Sequence, residues 1–187
     1  MASLKIIAAV FACSAALIGC ETSPKSDGLA PLKTVSSVDV AQYLGQWYEI
    51  ARYPNRFERG CEFVTANYSL IENGSDTGYI RVLNSCVIGN EKEKPKIASG
   101  VAKPLDGRNN AVLAVNFAPF PLPKGNGNYH ILYLDANYQF AVVGEPNRKY
   151  LWLLARTPKI EEANKAKMLT AASDNGYDLA KLEYVRQ

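Results

Sequence analysis

The chain has 187 residues and a mass of 20.5 kDa, with 48% hydrophobic residues, 21% charged residues and a formal net charge of +3. That is the composition of one globular domain with a sizeable core, and it excludes a long disordered chain or a multidomain enzyme. The charge is spread without a basic block, which excludes nucleic acid as an expected partner.

Met1 to Cys20 carries one early cation, Lys5, then an apolar run from Ile6 to Ile18 that is too short for a stable membrane span. Residues 1–19 therefore read as an export signal. Its end, Leu17-Ile18-Gly19-Cys20, resembles the bacterial lipobox, in which the cysteine is acylated and becomes the first mature residue. Acyl chains on Cys20 would hold the protein on a membrane, each buried methylene contributing about 0.8 kcal/mol. By resemblance to enterobacterial lipoproteins, Glu21 after the cysteine points to the outer membrane, with the body facing the periplasm. Residues 20–35, with Ser, Pro, Gly, Asp and Lys, read as a lipidated tether, and the folded domain is expected over 36–187.

Ser36 with Asp39 three residues on is a capping signature that predicts one helical turn before Gly45. Gly45-Gln46-Trp47 places a backbone-freeing residue just before a bulky ring at the head of an apolar run, as a barrel floor requires. Strands are predicted over 47–53, 64–70, 79–85, 96–102, 111–117, 129–134, 138–144 and 150–156. The second shows the clearest period of two, with Val64, Ala66, Tyr68 and Leu70 on one face. Three prolines bar 118–123 from any central strand, so this apolar loop is expected to fold over a barrel mouth or dip into lipid. Thr157 as cap and Pro158 at the first helical position predict a helix ending by Gly176, packed through Ile160, Met168, Ala171 and Ala172, and 179–185 reads as a last short strand.

Eight strands joined by hairpin-like loops, with one outer helix, predict an all-β fold, an antiparallel up-and-down barrel. An eight-stranded barrel holds either side chains or one small ligand. Small lining residues, Ala51, Val64 and Ala66, favour a cavity. Arg156, ending the last strong strand, is expected to stack on Trp47 and donate to nearby carbonyls.

With Cys13 in the signal and Cys20 acylated, the mature chain keeps Cys61 and Cys86, an even pair suited to a disulfide. A two-residue Asn73-Gly74 turn would pair residues whose numbers sum to about 147, setting Cys61 opposite Cys86. A wider loop to Gly78 would move the register by about four and require a bulge.

The stretches 43–52 (YLGQWYEIAR), 65–70 (TANYSL), Asn116-Phe117 with the proline-rich loop, and 150–158 (YLWLLARTP) resemble the lipocalin family. Within it the chain is similar to the bacterial outer-membrane lipoprotein lipocalins related to apolipoprotein D and the plant temperature-induced lipocalins. The resemblance spans Val38 to Val185. Gly45, Trp47 and Arg156 match the first and third family signatures, while Asp135-Ala136-Asn137-Tyr138 meets the second only in part. Residues 75–78 look like an insertion, and the cysteine pairing of animal relatives cannot apply, since no cysteine lies near this C-terminus. The resemblance implies a carrier of apolar ligands such as fatty acids or lysophospholipids, not an enzyme, with Tyr68 and Trp152 facing the pocket. Parity agrees for Tyr68, and for Trp152 if Arg156 shares the inward face. By analogy with bacterial relatives, a homodimer is possible.

Tyrosine hydroxyls, or an arginine such as Arg81, are expected to orient a ligand headgroup. His130 is the single histidine, with no nucleophile elbow and no second histidine, and it reads as a structural mid-strand residue. No metal-ligand cluster or phosphate-cradling loop is evident, so no cofactor is expected. The alternatives are an interaction lipoprotein whose barrel is filled by its own side chains, and an atypical lipid-acting enzyme dependent on His130.

Overall fold

The computed structural model describes residues 28–89, 92–117 and 125–187. The expected signal, the acylation site Cys20, the start of the tether and the proline-rich loop lie outside the described residues.

The elements are α1 (Val40–Tyr43), β1 (Gly45–Arg52), β2 (Cys61–Leu70), β3 (Ile80–Ile88), β4 (Lys96–Pro104), β5 (Val112–Phe117), β6 (Tyr129–Leu134), β7 (Phe140–Gly144), β8 (Leu151–Ala155), α2 (Glu162–Asp174), a 3-10 turn at Leu179–Lys181, and β9 (Glu183–Tyr184). Strands β2 to β8 pair antiparallel in chain order, and β1 pairs with both β8 and β2, which closes an eight-stranded barrel. Closure leaves the long strands no free ladder edge. The eight barrel strands form where predicted, with ends shifted by up to three residues, whereas of the expected last strand 179–185 only Glu183–Tyr184 is extended and Leu179–Lys181 forms the 3-10 turn.

Two bulges decide what faces inward. On β1 the register against β8 slips between Glu49 and Ala51, so Ile50 is the extra residue. Trp47 and Glu49 face the interior, and after the slip Arg52, not Ala51, returns to that face, where it binds Glu49. On β2 the register against β3 slips between Glu62 and Thr65, where Phe63 adopts a left-handed φ of 51°. At these bulges β1 and β2 part, and the C-terminal strand fills the gap. β9 pairs with Ala51 and Arg52, Phe63 N donates to Arg186 O, and Gln187 Nε2 donates to the carbonyls of Glu49 and Val64.

The β2–β3 loop corrects the expected cysteine register. Leu70 faces Ile80 and Cys61 faces Ile88, so the pairs sum to neither expected value at the cysteines. The Cys61–Cys86 disulfide forms all the same, between diagonal neighbours whose Cα atoms are 5.4 Å apart, well inside bridging range.

Three helix and tether expectations are also corrected. Asp39 and not Ser36 caps α1, its Oδ1 accepting from Ala41 N at 2.9 Å. Thr157 caps nothing helical; its hydroxyl donates to Lys159 O in a separate turn, and α2 starts at Glu162. The tether is bound to the body before residue 36: Leu32 packs on the outer core, Lys33 N donates to Asn175 Oδ1, and Val35 N donates to Ile131 O.

The core is split by the barrel wall. Outside, Met168 and Ala172 of α2 pack against Ala51, Val142, Leu151 and Leu153. Gly144 is needed here, since a Cβ would lie 2.9 Å from Leu132 Cδ1 and closer still to the Tyr177 hydroxyl. Inside, Tyr43, Trp47, Tyr68, Ile80 and Val82 line one end and leave space above them.

Candidate ligand-binding cavity

The closed end is built by the expected signature. Gly45 has a φ of 89°, which a side chain would strain. Trp47 is fully buried and its Nε1 donates to Tyr43 O at 2.9 Å. The Arg156 guanidinium stacks on the indole and donates to the carbonyls of Gln42, Tyr43, Gln46 and Tyr138, tying α1, β1 and the β6–β7 turn to the floor.

Above this floor the barrel holds a cavity of about 860 Å3. Its wall is mainly apolar, including Val64, Ala66, Val82, Ala102, Leu113 and Leu154. Tyr68 and Trp152 line it, as expected. The barrel is therefore not filled by its own side chains, although the filled-barrel alternative required it to be.

Two expected lining residues lie elsewhere. Ala51 is fully buried outside the wall against α2, because the Ile50 bulge reverses the strand's alternation. Arg81 is exposed on the outer face of β3, since Ile80 and Val82 take the inward positions. It cannot reach a ligand in the cavity.

Polar groups occupy two places, an arrangement that sequence reasoning, which names Tyr68 and tyrosine hydroxyls in general, does not foresee. At the base, the Tyr129 hydroxyl bonds to those of Tyr43, at 2.8 Å, and Tyr68, at 3.1 Å. Burial pushes the Tyr68 phenol up to about 12 and the other two well above their ordinary value, so all three stay neutral. Higher in the wall, Glu49 and Arg52 are both over 90% buried and paired at 2.7 Å. Arg52 also donates to the carbonyls of Glu58 and Cys61, and Glu58 accepts from Trp152 Nε1 at 3.2 Å. Burial raises the Glu49 carboxyl to about 8; the adjacent Glu58 adds to the rise, and Arg52 opposes it. Asn84 Oδ1, also on the wall, is buried without a hydrogen-bond partner among the described residues. One signal for the acid was present: Glu49 lies two residues after Trp47 in an apolar strand, and alternation points it inward.

His130 is 6% exposed and does not line the cavity. Its Nε2 is 2.9 Å from Asn126 O, and burial lowers its pKa. Among the described residues no three His, Cys, Asp or Glu side chains are grouped as metal ligands.

Residues 38–187 match the family model described as a lipocalin-like domain. The outer membrane lipoprotein Blc of Citrobacter freundii is 37% identical over 188 residues, covering 100% of this chain and 98% of that protein. Its namesake from Vibrio cholerae is 39% identical over 177 residues, covering 94% and 95%. Temperature-induced lipocalin-1 of Arabidopsis thaliana is 36% identical over 162 residues, covering 83% of each chain. Among solved structures, insecticyanin from the tobacco hornworm Manduca sexta superimposes with a TM-score of 0.61 at 17% identity, covering 85% of this chain and 86% of its own. Lobster apocrustacyanin A1 does so with 0.61 at 11% identity, covering 84% and 91%. At such identities the structures show the barrel fold alone.

Proposed function

The chain belongs to the lipocalin family, and on that premise we propose that it is an outer-membrane lipoprotein, anchored through acylated Cys20 with its barrel in the periplasm, that carries single-chain lipids. Fatty acids and lysophospholipids are the ligand classes. The observation that carries this reading is the cavity of about 860 Å3, within the roughly 300–1,000 Å3 of small-molecule sites, with an apolar wall and few polar groups. An acyl chain there would gain about 25 cal/mol for each Å2 of apolar surface taken from water. Asn84, the Glu49–Arg52 pair and the three tyrosine hydroxyls are the groups available to orient a head. The location rests on the lipobox-like Leu17 to Cys20 stretch and on relatives named as outer membrane lipoproteins that align over nearly the whole chain. The lipocalin family is one of carriers.

Native mass spectrometry of the protein isolated from the envelope, with organic extraction of what travels with it, tests the proposal. A fatty acid or lysophospholipid at near one per chain is expected, and Ala66→Phe, which fills the cavity, is expected to lower that occupancy severalfold. An empty protein whose tryptophan emission does not respond to added lysophospholipid would refute the carrier reading.

A further inference from the structure

The open end of the barrel has a rim of unusual composition. Phe57, in the β1–β2 connection, is 58% exposed, Ile88 at the end of β3 is 38% exposed, and Ile97 at the start of β4 is 69% exposed. All three also border the cavity. They belong to two connections that lie side by side, since a Cβ on Gly60 would sit 3.8 Å from Ile88 Cγ2. Isolated exposed apolar residues are common on soluble proteins, but three around one opening are a patch.

The rim is also cationic. Arg56, Arg59 and Lys96 are exposed and border the same opening. Glu58, the acid of the first connection, is turned inward onto Trp152, so it does not offset them at the surface. On the second connection Glu91 and Glu93 alternate with Lys92 and Lys94 in sequence, so that run adds no net charge and the cationic character rests on Arg56, Arg59 and Lys96.

These side chains are presented on a braced frame. Arg52 donates to Glu58 O and Cys61 O, Asn55 Oδ1 accepts from Glu58 N at 2.8 Å, and the Phe57 ring rests 5.4 Å from that of Tyr150. The Cys61–Cys86 disulfide joins the strands from which both connections spring. The apolar tips therefore project without first being ordered, and the ordering entropy is already spent before any partner arrives.

We infer that the rim formed by Phe57, Ile88 and Ile97 with Arg56, Arg59 and Lys96 is a docking surface for a phospholipid leaflet carrying anionic head groups. Apolar tips enter the acyl boundary while the cations meet phosphates, the pattern by which interfacial segments hold a membrane surface. The charge selects this occupant over a second copy of the chain, whose rim would bring like charges together. The geometry gives docking a use. Because Phe57, Ile88 and Ile97 border both solvent and cavity, an acyl chain leaves the leaflet for the barrel along apolar side chains. That transfer rests on the carrier reading, whereas docking does not.

The test uses the envelope-derived protein reconstituted in vesicles of phosphatidylethanolamine and phosphatidylglycerol, some of it brominated on the acyl chains. Tryptophan is placed at one position at a time: Phe57→Trp, Ile97→Trp, and Leu70→Trp at the far end of β2, where Leu70 is 47% exposed. At least threefold stronger bromolipid quenching is expected at 57 and 97 than at 70. It should weaken as salt rises, and weaken again when Arg56→Gln and Arg59→Gln are added. Equal quenching at all three positions, or none at 57 and 97, would overturn the inference. So would a blue shift of Phe57→Trp emission that follows protein density without bromolipid quenching, because the rim would then meet another copy. Quenching of Trp47 and Trp152 by an added single-chain amphiphile reads the cavity separately, so failure of docking and failure of the carrier reading are told apart.

Discussion

The Arg156 guanidinium carbon lies 3.8 Å from the centre of the Trp47 ring, and these two residues, more than a hundred positions apart, close the floor of the barrel. The stacking is supplemented by donations to four carbonyls, at 2.7 to 3.2 Å. A lysine keeps the charge but has neither the planar face nor the fan of donors. Arg156→Lys is therefore expected to destabilise the protein by about 2 kcal/mol or more, lowering Tm by roughly 4–8 °C in a thermal melt. An unchanged melt would show that the floor is held by packing alone.

Glu49 gives stability a pH dependence. Its carboxyl has an ordinary pKa of 4.5 unfolded and about 8 folded, so between those values the folded chain holds a proton that the unfolded chain has released. Its contribution is present in full below pH 4.5 and is lost as pH rises through 8. The groups facing it are Arg52, Glu58 and, more distantly, Tyr68. At about 1.4 kcal/mol per unit, the total is on the order of a few kcal/mol. Urea unfolding of wild type and Glu49→Gln at several pH values should give a difference curve that falls across this window. A flat curve would place the carboxylate in an ionised pair with Arg52.

The disulfide closes a loop of 25 residues. In the chain-entropy account that cross-link stabilises by about 3 kcal/mol. Reduction, or the Cys86→Ala variant, is expected to lower the denaturation midpoint accordingly. Hydrogen exchange should rise first around Gly60 and Ile88, the rim segments the bond joins. Exchange that rises instead at the floor would contradict this placement.

Gly144→Ala tests the outer seam. The new methyl group would collide with the Tyr177 hydroxyl, which bonds to both N and O of Glu145 at 2.9 Å. A loss of about 2 kcal/mol or more is expected. Gly74→Ala, in open space although at positive φ, should cost less, and equal melts for the two variants would argue against a fixed Tyr177.

Amino-acid order alone determined the barrel, its eight strands, the outer helix and the floor of Gly45, Trp47 and Arg156. Period-two alternation, prolines at strand ends and the pairing of glycine with tryptophan are local signals, and nothing in the packing overrode them. The inward direction of Val64, Ala66 and Tyr68 was legible for the same reason, while that of Trp152 followed from the family resemblance. Tertiary structure decided the rest wherever one inserted residue changes parity. The bulge at Ile50 sent Ala51 out to α2 and brought Arg52 in to Glu49, and the slip at Phe63 with the long β2–β3 loop set the cysteines diagonally. A bulge has no sequence signature of its own, because it exists only as a mismatch between two strands distant in the chain. The polar side of the cavity, Glu49 with Arg52, Glu58 and Trp152, came into being only when those strands were brought together.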